Sequence, residues 1–156
     1  MSKIRIASPQ ESVELDRGFL REVGRTVLEG ENVTQYEISL AFVDDPTIHR
    51  LNKQFLDHDE PTDVLSFPLS DPSAKILQGE LVIGAEVAQR VATERGHPVQ
   101  AELALYVIHG LLHLCGHDDL DERSAAQMRE RERHYLGLLN LPDIAPRPED
   151  GDEEDQ

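Results

Sequence analysis

Apolar and polar residues alternate along four short stretches of the chain, and this period of two predicts β-strands. The clearest strand covers residues 34–44, where the apolar positions are Tyr36, Ile38, Leu40 and Phe42. Residues 3–7, 62–69 and 79–84 predict three more strands. Pro68 indicates that the strand over 62–69 is at a sheet edge or ends there, because proline cannot donate a ladder hydrogen bond.

Five other stretches carry apolar residues at intervals of three and four, which is typical of amphipathic helices. Ser8 is the predicted N-cap of a helix over about 10–29, and Asp45 is that of a helix over 44–56. Three further helices are expected over 85–95, from Pro98 to Gly116, and after Asp121. The order β-α-β-α-β-β-α-α-α predicts an α+β domain with a small mixed sheet of about four strands and about five helices.

The charge of the chain is strongly negative. It has 31 acidic and 15 basic residues, a formal net charge of −16. Seven acidic residues and one arginine follow from Asp143 onward, so we expect residues 143–156 to form a disordered acidic tail behind a single domain of residues 1–142. The acidic excess of the remaining chain argues against broad, charge-driven binding of nucleic acids, which requires a basic surface.

Cysteine content and apolar runs suggest where the protein works. The single cysteine, Cys115, excludes an internal disulfide and fits a reducing compartment. The N-terminal residues lack the apolar run of a signal peptide, and no stretch approaches the roughly twenty apolar residues that a membrane helix needs. We therefore expect a cytoplasmic protein with no membrane association.

The most informative motif lies in the stretch "YVIHGLLHLCGHDDL", residues 106–120. His109 and His113 are four residues apart, so on a helix both imidazoles face the same side. Gly116 is a predicted helix end, after which Asp119 can fold back towards the two histidines. The spacing H-x-x-x-H-x-x-G-x-x-D predicts three ligands for one zinc ion with a fourth position open, which is typical of catalytic zinc. The alternative is that the histidines are ordinary half-buried residues and the acids cap the next helix.

The third ligand has two candidates. Asp119 occupies the position of the third ligand in the related zinc motif H-E-x-x-H-x-x-G-x-x-H, and we favour it. His117 is a softer donor but follows Gly116 directly, and it remains the alternative. Cys115 is interpreted as a buried small apolar residue, because its helical phase turns it away from His113.

The residue after the first histidine indicates which zinc-dependent reactions the site can catalyse. In zinc proteases with the motif H-E-x-x-H, that residue is the glutamate that acts as general base. Here it is Gly110, which disfavours a zincin-like peptidase. Attack of metal-activated water on phosphorus does not require a carboxylate at this position.

Three motifs together resemble the YbeY family: "PTDVLSFPL", "GELVIGAEVA" and "HGLLHLCGHDD", within about residues 34–139. The resemblance implies a zinc-dependent endoribonuclease that acts on single-stranded RNA. It also implies a role in 3′-end processing of small-subunit ribosomal RNA and in ribosome quality control, with ribosomal or ribosome-associated proteins as partners. The implied fold is a mixed sheet with helices, related to zincin metalloproteases. His58, Thr62 and Ser66 lie in or beside the segment that the resemblance places near the site.

The chain departs from this family at three positions. Asp119 replaces the usual third histidine, His117 replaces a usual tyrosine, and Leu56 stands where an arginine often helps to hold the RNA phosphate. Leu56 and Asp119 therefore support a second hypothesis, a ribosome-assembly factor in which zinc is structural and nuclease activity is weak or absent. The charged run "RERER", residues 129–133, is interpreted as solvated helix surface.

Overall fold

A four-stranded mixed sheet runs through the computed structural model, which describes residues 2–71 and 73–146. Its strands are β1 (Lys3–Ala7), β2 (Tyr36–Val43), β3 (Val64–Pro68) and β4 (Leu77–Gly84). Their order in the sheet is β1-β2-β4-β3. β1, β2 and β4 are parallel, whereas β3 is antiparallel to β4 and forms one edge. The strand that contains Pro68 is therefore an edge strand, as predicted.

Five helices accompany the sheet, which confirms the predicted α+β class. They are α1 (Arg17–Gly30), α2 (Asp45–Leu56), α3 (Ala85–Arg95), α4 (Val99–Leu114) and α5 (Glu122–Leu138). None of the helices in the described ranges is long and apolar enough to span a membrane.

The start of α1 differs from the prediction. The helix begins at Arg17 rather than near residue 10, and Asp16 caps it by accepting a hydrogen bond from a backbone N–H of the first turn. The predicted cap at Ser8 is wrong. The buried amide side chain of Gln10 bonds both the N–H and the C=O of Val13, which holds this segment in a turn instead of a helix.

A smaller shift occurs at α2. Asp44, not Asp45, is its N-cap, with the Asp44 carboxylate 3.0 Å from the backbone nitrogen of Thr47. Asp45 is the first helical residue, and its N–H donates to the carboxylate of Glu86 at 2.8 Å. Both aspartates can satisfy a helix N-terminus, so the sequence pattern alone does not separate them.

The central helix of the fold is α4, and this position fixes the candidate site. Twelve of its sixteen residues are buried. It packs against α1, α3 and α5 as well as β3 and β4. The alternate residues of β2 predicted to be apolar, from Tyr36 to Phe42, belong to the same core cluster as α4. A smaller cluster around Ile48 of α2 and Val82 of β4 contains strand side chains from the opposite face of the sheet.

The packed chain extends beyond residue 142. Ala145 is buried in the main core, Ile144 packs against it, and Arg133 forms an ion pair with Asp143 at 3.4 Å. Four residues of the predicted tail, 143–146, thus contact the domain. The rest of that segment, residues 147–156, lies outside the described residues.

Candidate metal centre

His109 and His113 project from the same face of α4, near its C-terminal end. Their Nε2 atoms are 3.1 Å apart, and the rings meet edge to face with centroids separated by 4.7 Å. This is the arrangement expected for residues four apart on a helix. Two imidazole lone pairs can therefore be directed at one position.

The helix ends in a turn that returns the chain towards these rings. Gly116 has φ +104°, a left-handed conformation that residues other than glycine seldom adopt. Its N–H donates to the carbonyl of His113, and the N–H of His117 donates to that of Leu112, both at 3.0 Å. These two bonds form a Schellman motif, the helix end predicted from the glycine.

Beyond this turn, Asp119 comes close to the two histidines. One ligand atom from each of His109, His113 and Asp119 lies within 4.8 Å of the others. His117 is oriented differently: its Nε2 lies 2.8 Å from the Glu31 carboxylate at the end of α1. The structure thus brings Asp119, and not His117, beside the histidine pair.

A buried carboxylate orients the first histidine. The Nδ1 atom of His109 donates to Oε2 of Glu132 at 2.6 Å, and the Glu132 side chain is 0% exposed. Nη1 of Arg129 lies 2.8 Å from both Glu132 oxygens, so the acid has a positive partner as well. A proton held on Nδ1 leaves the Nε2 lone pair free to face His113, which is how metal-binding histidines are commonly supported by a carboxylate.

The donor set fits a zinc-like ion. Two imidazole nitrogens and a carboxylate oxygen are within the normal ligand range of catalytic zinc. Ligand nitrogens about 2.0–2.1 Å from a tetrahedral ion lie about 3.3 Å apart, close to the Nε2–Nε2 separation of 3.1 Å in this structure. Two acceptor nitrogens at that distance need a proton or a cation between them. The arrangement therefore accommodates either an N–H···N hydrogen bond or a bound cation.

The two histidines have opposite pKa shifts. Burial lowers the pKa of His109, but the hydrogen bond and charge of Glu132 outweigh it and raise the pKa overall. Burial and the neighbouring His109 both lower the pKa of His113. Burial raises the pKa of the Cys115 thiol to about 12, so Cys115 stays protonated and is a poor metal ligand. His113 is therefore the more readily neutral of the two imidazoles.

Close packing between α4 and the sheet leaves little room for a side chain at Gly110. A Cβ at this position would lie 2.8 Å from both Leu81 methyl carbons and 3.2 Å from Val64. The hydroxyl of Ser66 lies 3.4 Å from the carbonyl of Gly110, at the same contact. A glutamate at position 110 would thus point into the packed sheet, which gives a physical reason why the zinc-peptidase base is absent here.

Two cavities meet at His109. A groove of about 340 Å³ is lined by His109, His113, Leu56 and residues 64–68 of β3, which include Ser66. A second cavity, of about 530 Å³, includes Thr62, His109 and Asp119 in its lining. Thr62 and Ser66 therefore border the candidate centre, whereas the exposed His58 lines neither cavity.

The residues that sequence reasoning missed are the acidic partners of the histidines. Within "RERER", interpreted above as solvated surface, Glu132 is fully buried and Arg131 bonds Glu31 at 2.7 Å, so that interpretation is wrong. The oxygen of Glu31 that binds Arg131 also accepts from the Tyr135 hydroxyl. The Glu31 carboxylate, at the end of α1, thus binds His117 in the loop after α4 and two residues of α5.

Known proteins are similar in sequence to this chain over most of its length. The model of the family described as "Endoribonuclease YbeY" matches residues 5–140. An endoribonuclease YbeY of Pelotomaculum thermopropionicum is 39% identical over 148 residues, covering 88% of this chain and 97% of the relative. One from Picosynechococcus is 44% identical over 114 residues, covering 68% and 70%.

A solved structure shows the same fold. The solution structure of TM1509 from Thermotoga maritima superposes with a TM-score of 0.62 at 26% identity, and the alignment covers 93% of this chain and all of that one. The resemblance drawn from three sequence motifs is thereby confirmed, because the family match covers residues 5–140 and includes all three motifs. The chain belongs to the endoribonuclease YbeY family.

Proposed function

We propose that this chain is a zinc-dependent endoribonuclease that cleaves single-stranded RNA during ribosomal RNA maturation, including 3′-end processing of the small-subunit RNA and ribosome quality control. Its relatives carry the name endoribonuclease. The observation that carries the proposal is the convergence of His109, His113 and Asp119 within 4.8 Å where two open cavities meet. Catalytic metal sites combine such a three-ligand set with access for substrate.

In this proposal His109, His113 and Asp119 hold one zinc ion per chain. Bound zinc supplies a Lewis acid for a phosphoryl oxygen and lowers the pKa of water. Glu132 retains the Nδ1 proton of His109, which keeps the opposite nitrogen available as a ligand. Position 110 carries no side chain, so any general base must come from elsewhere in the site.

The cavities favour a single strand over a duplex. Volumes of about 340 and 530 Å³ accommodate individual nucleotides, and neither is a long basic surface of the kind that tracks paired RNA. Thr62 and Ser66 present hydroxyls next to the centre, where they can bond phosphate or base atoms. With a net charge of −16, we expect ribosomal or ribosome-associated proteins in the cytoplasm to help present the RNA.

The second function, a ribosome-assembly factor with a structural zinc, is favoured by one observation. Leu56 lines the groove at the position where a positively charged side chain would bind phosphate and assist cleavage. An apolar side chain cannot do this. Exposure of Asp119 and the open cavities are less compatible with a closed structural site. The two functions differ in whether the zinc-loaded protein cleaves RNA.

Metal content and RNA cleavage test the proposal together. The wild-type protein should hold about one zinc per chain and should cut an unpaired oligonucleotide faster than the same sequence closed in a hairpin. His113→Ala should lose both zinc and cleavage, because two ligands remain. His49→Ala is the matched control, since His49 is hydrogen-bonded to Asp59 at an exposed position. Zinc binding without cleavage by the wild type would favour the assembly factor, and unchanged zinc in His113→Ala would refute the site.

The third ligand needs its own comparison. Asp119→Ala should lower zinc affinity, whereas His117→Ala should retain the metal because its ring is bonded to Glu31. The opposite result, with zinc lost only from His117→Ala, would assign the third position to His117.

A further inference from the structure

The groove beside the histidine pair runs along the open edge of the sheet. Among the described residues, strand β3 pairs with β4 alone, and residues 64–68 line the groove over the full strand. His109 and His113 belong to the lining of the groove, and so does Leu56, the last residue of α2. Any molecule in this groove therefore lies directly next to the candidate metal centre.

Large apolar side chains are exposed at this groove. Leu56 is 53% exposed, and the adjacent Phe55 is 55% exposed. The ring of Phe55 packs edge to face on Phe67, with centroids 5.3 Å apart, and Phe67 is itself part of the groove lining. Exposed apolar side chains that cluster at a cavity are typical of a binding surface, whereas single exposed apolar residues are common everywhere.

We infer that this groove is a subsite for an unpaired nucleobase of the RNA, immediately beside the phosphodiester that is cut. The inference rests on the proposed function. A nucleobase has an apolar face that can pack on Leu56 and polar edges that can bond Ser66. Recognition of bases also suits an acidic chain, because stacking does not depend on neutralising many phosphates.

An extended peptide is the competing occupant, because sheet edges can add a strand. Two features make it less suitable. Strand β3 has only five residues, and its last residue, Pro68, has no N–H to donate. A base that needs one apolar wall and one or two hydrogen bonds matches the short groove better.

The test measures binding to two labelled oligomers that differ only in their bases: oligouridylate and an abasic oligomer of the same length and charge. We expect the wild-type protein to bind oligouridylate more tightly by roughly fivefold or more, the lower end of measured base-stacking contributions. Leu56→Ser should abolish most of this preference, and Leu56→Tyr should increase it by providing an aromatic face. Fluorescence anisotropy at fixed salt gives both affinities, and circular dichroism checks the fold of each variant.

Leu138→Ser is the matched control, since Leu138 is 58% exposed and does not line the groove. It should leave the base preference unchanged. Equal wild-type affinity for the two oligomers overturns the inference whether or not RNA is cleaved. A second result would also overturn it: an unstructured valine-rich peptide that displaces the abasic oligomer from the wild type, but not from Leu56→Ser, would show that the groove binds an extended peptide. An intact base preference without any cleavage would instead count against the proposed function, so the two failures are distinguishable.

Discussion

Replacing Glu132 with glutamine tests how the candidate centre is held in place. Glu132 is the buried acceptor for Nδ1 of His109, at 2.6 Å, and it also pairs with Arg129. Glutamine has nearly the same shape, so the substitution removes the charge with little change in volume. The altered side chain also offers an N–H where the carboxylate offered only acceptors. His109 should therefore lose part of its orientation and basicity while all three candidate ligands remain.

The size of the effect follows from the contacts. Loss of a hydrogen-bonded carboxylate behind a ligand histidine typically costs 10- to 100-fold in metal affinity, about 1.4–2.7 kcal/mol. The metal-free protein should be destabilised too, because Arg129 loses its buried counter-ion. Removing one partner of a buried ion pair costs about 3–5 kcal/mol, and the 26% exposure of the Arg129 side chain should reduce this figure.

Zinc affinity is measured by competition with a chelating dye, and unfolding of the metal-free protein is followed in urea by circular dichroism. Glu130→Gln is the matched control, with the same chemical change at an exposed position of the same helix. It should alter neither quantity beyond about 0.5 kcal/mol. If Glu132→Gln binds zinc as tightly as the wild type, the assigned role of Glu132 is wrong.

Three further predictions concern packing, pH and the acidic tail. Gly110→Ala should destabilise the protein by about 1–3 kcal/mol in urea unfolding, through the clash with Leu81, whereas Gly137→Ala, which meets no atom within 4 Å, should not. Burial opposes the ionisation of Glu31, but bonds to Tyr135, Arg131 and His117 lower its pKa below 4.5, so its stabilisation is present above that pH and lost in acid. The stability difference between wild type and Glu31→Gln should therefore shrink between pH 7 and pH 3, and a constant difference would contradict the shift. Truncation after Pro148 should leave urea unfolding and zinc content unchanged and RNA affinity equal or slightly higher at low salt; weaker RNA binding would contradict this.

The strands were predictable because one face of the sheet is covered by α4 and the other partly by α2. The apolar residues at alternate positions of β2 are the ones whose side chains are buried in the main core. The first helix was less predictable, because Ser8, Pro9 and Glu11 form a local pattern that also fits a helix start. A competing local arrangement decided otherwise: the side chain of Gln10 is buried and satisfies the backbone of Val13, three residues further on. Side-chain competition of this kind is not visible in spacing alone.

The candidate ligands were predictable for a different reason. His109, His113 and Asp119 lie within eleven residues, and a helix followed by a glycine turn brings them together by local geometry. Glu132 comes from another helix, 23 residues beyond His109, so its contact depends on how α4 and α5 pack. One sequence signal did exist: Glu132 lies on the same face of α5 as Met128 and Tyr135, at a core position.

The buried acids also explain how so acidic a chain can keep a site suited to RNA. Glu132 lies beside the candidate centre and Glu31 beside His117, and each is already bonded to an arginine and a histidine. Their charges are compensated inside the protein and add little repulsion in the cavities. Zinc at the adjacent ligands would add two positive charges where the phosphodiester must approach. The field that a substrate phosphate meets is then the sum of the metal and the acidic and basic side chains that line the cavities, while the net charge of −16 produces a weaker, screened repulsion at a distance.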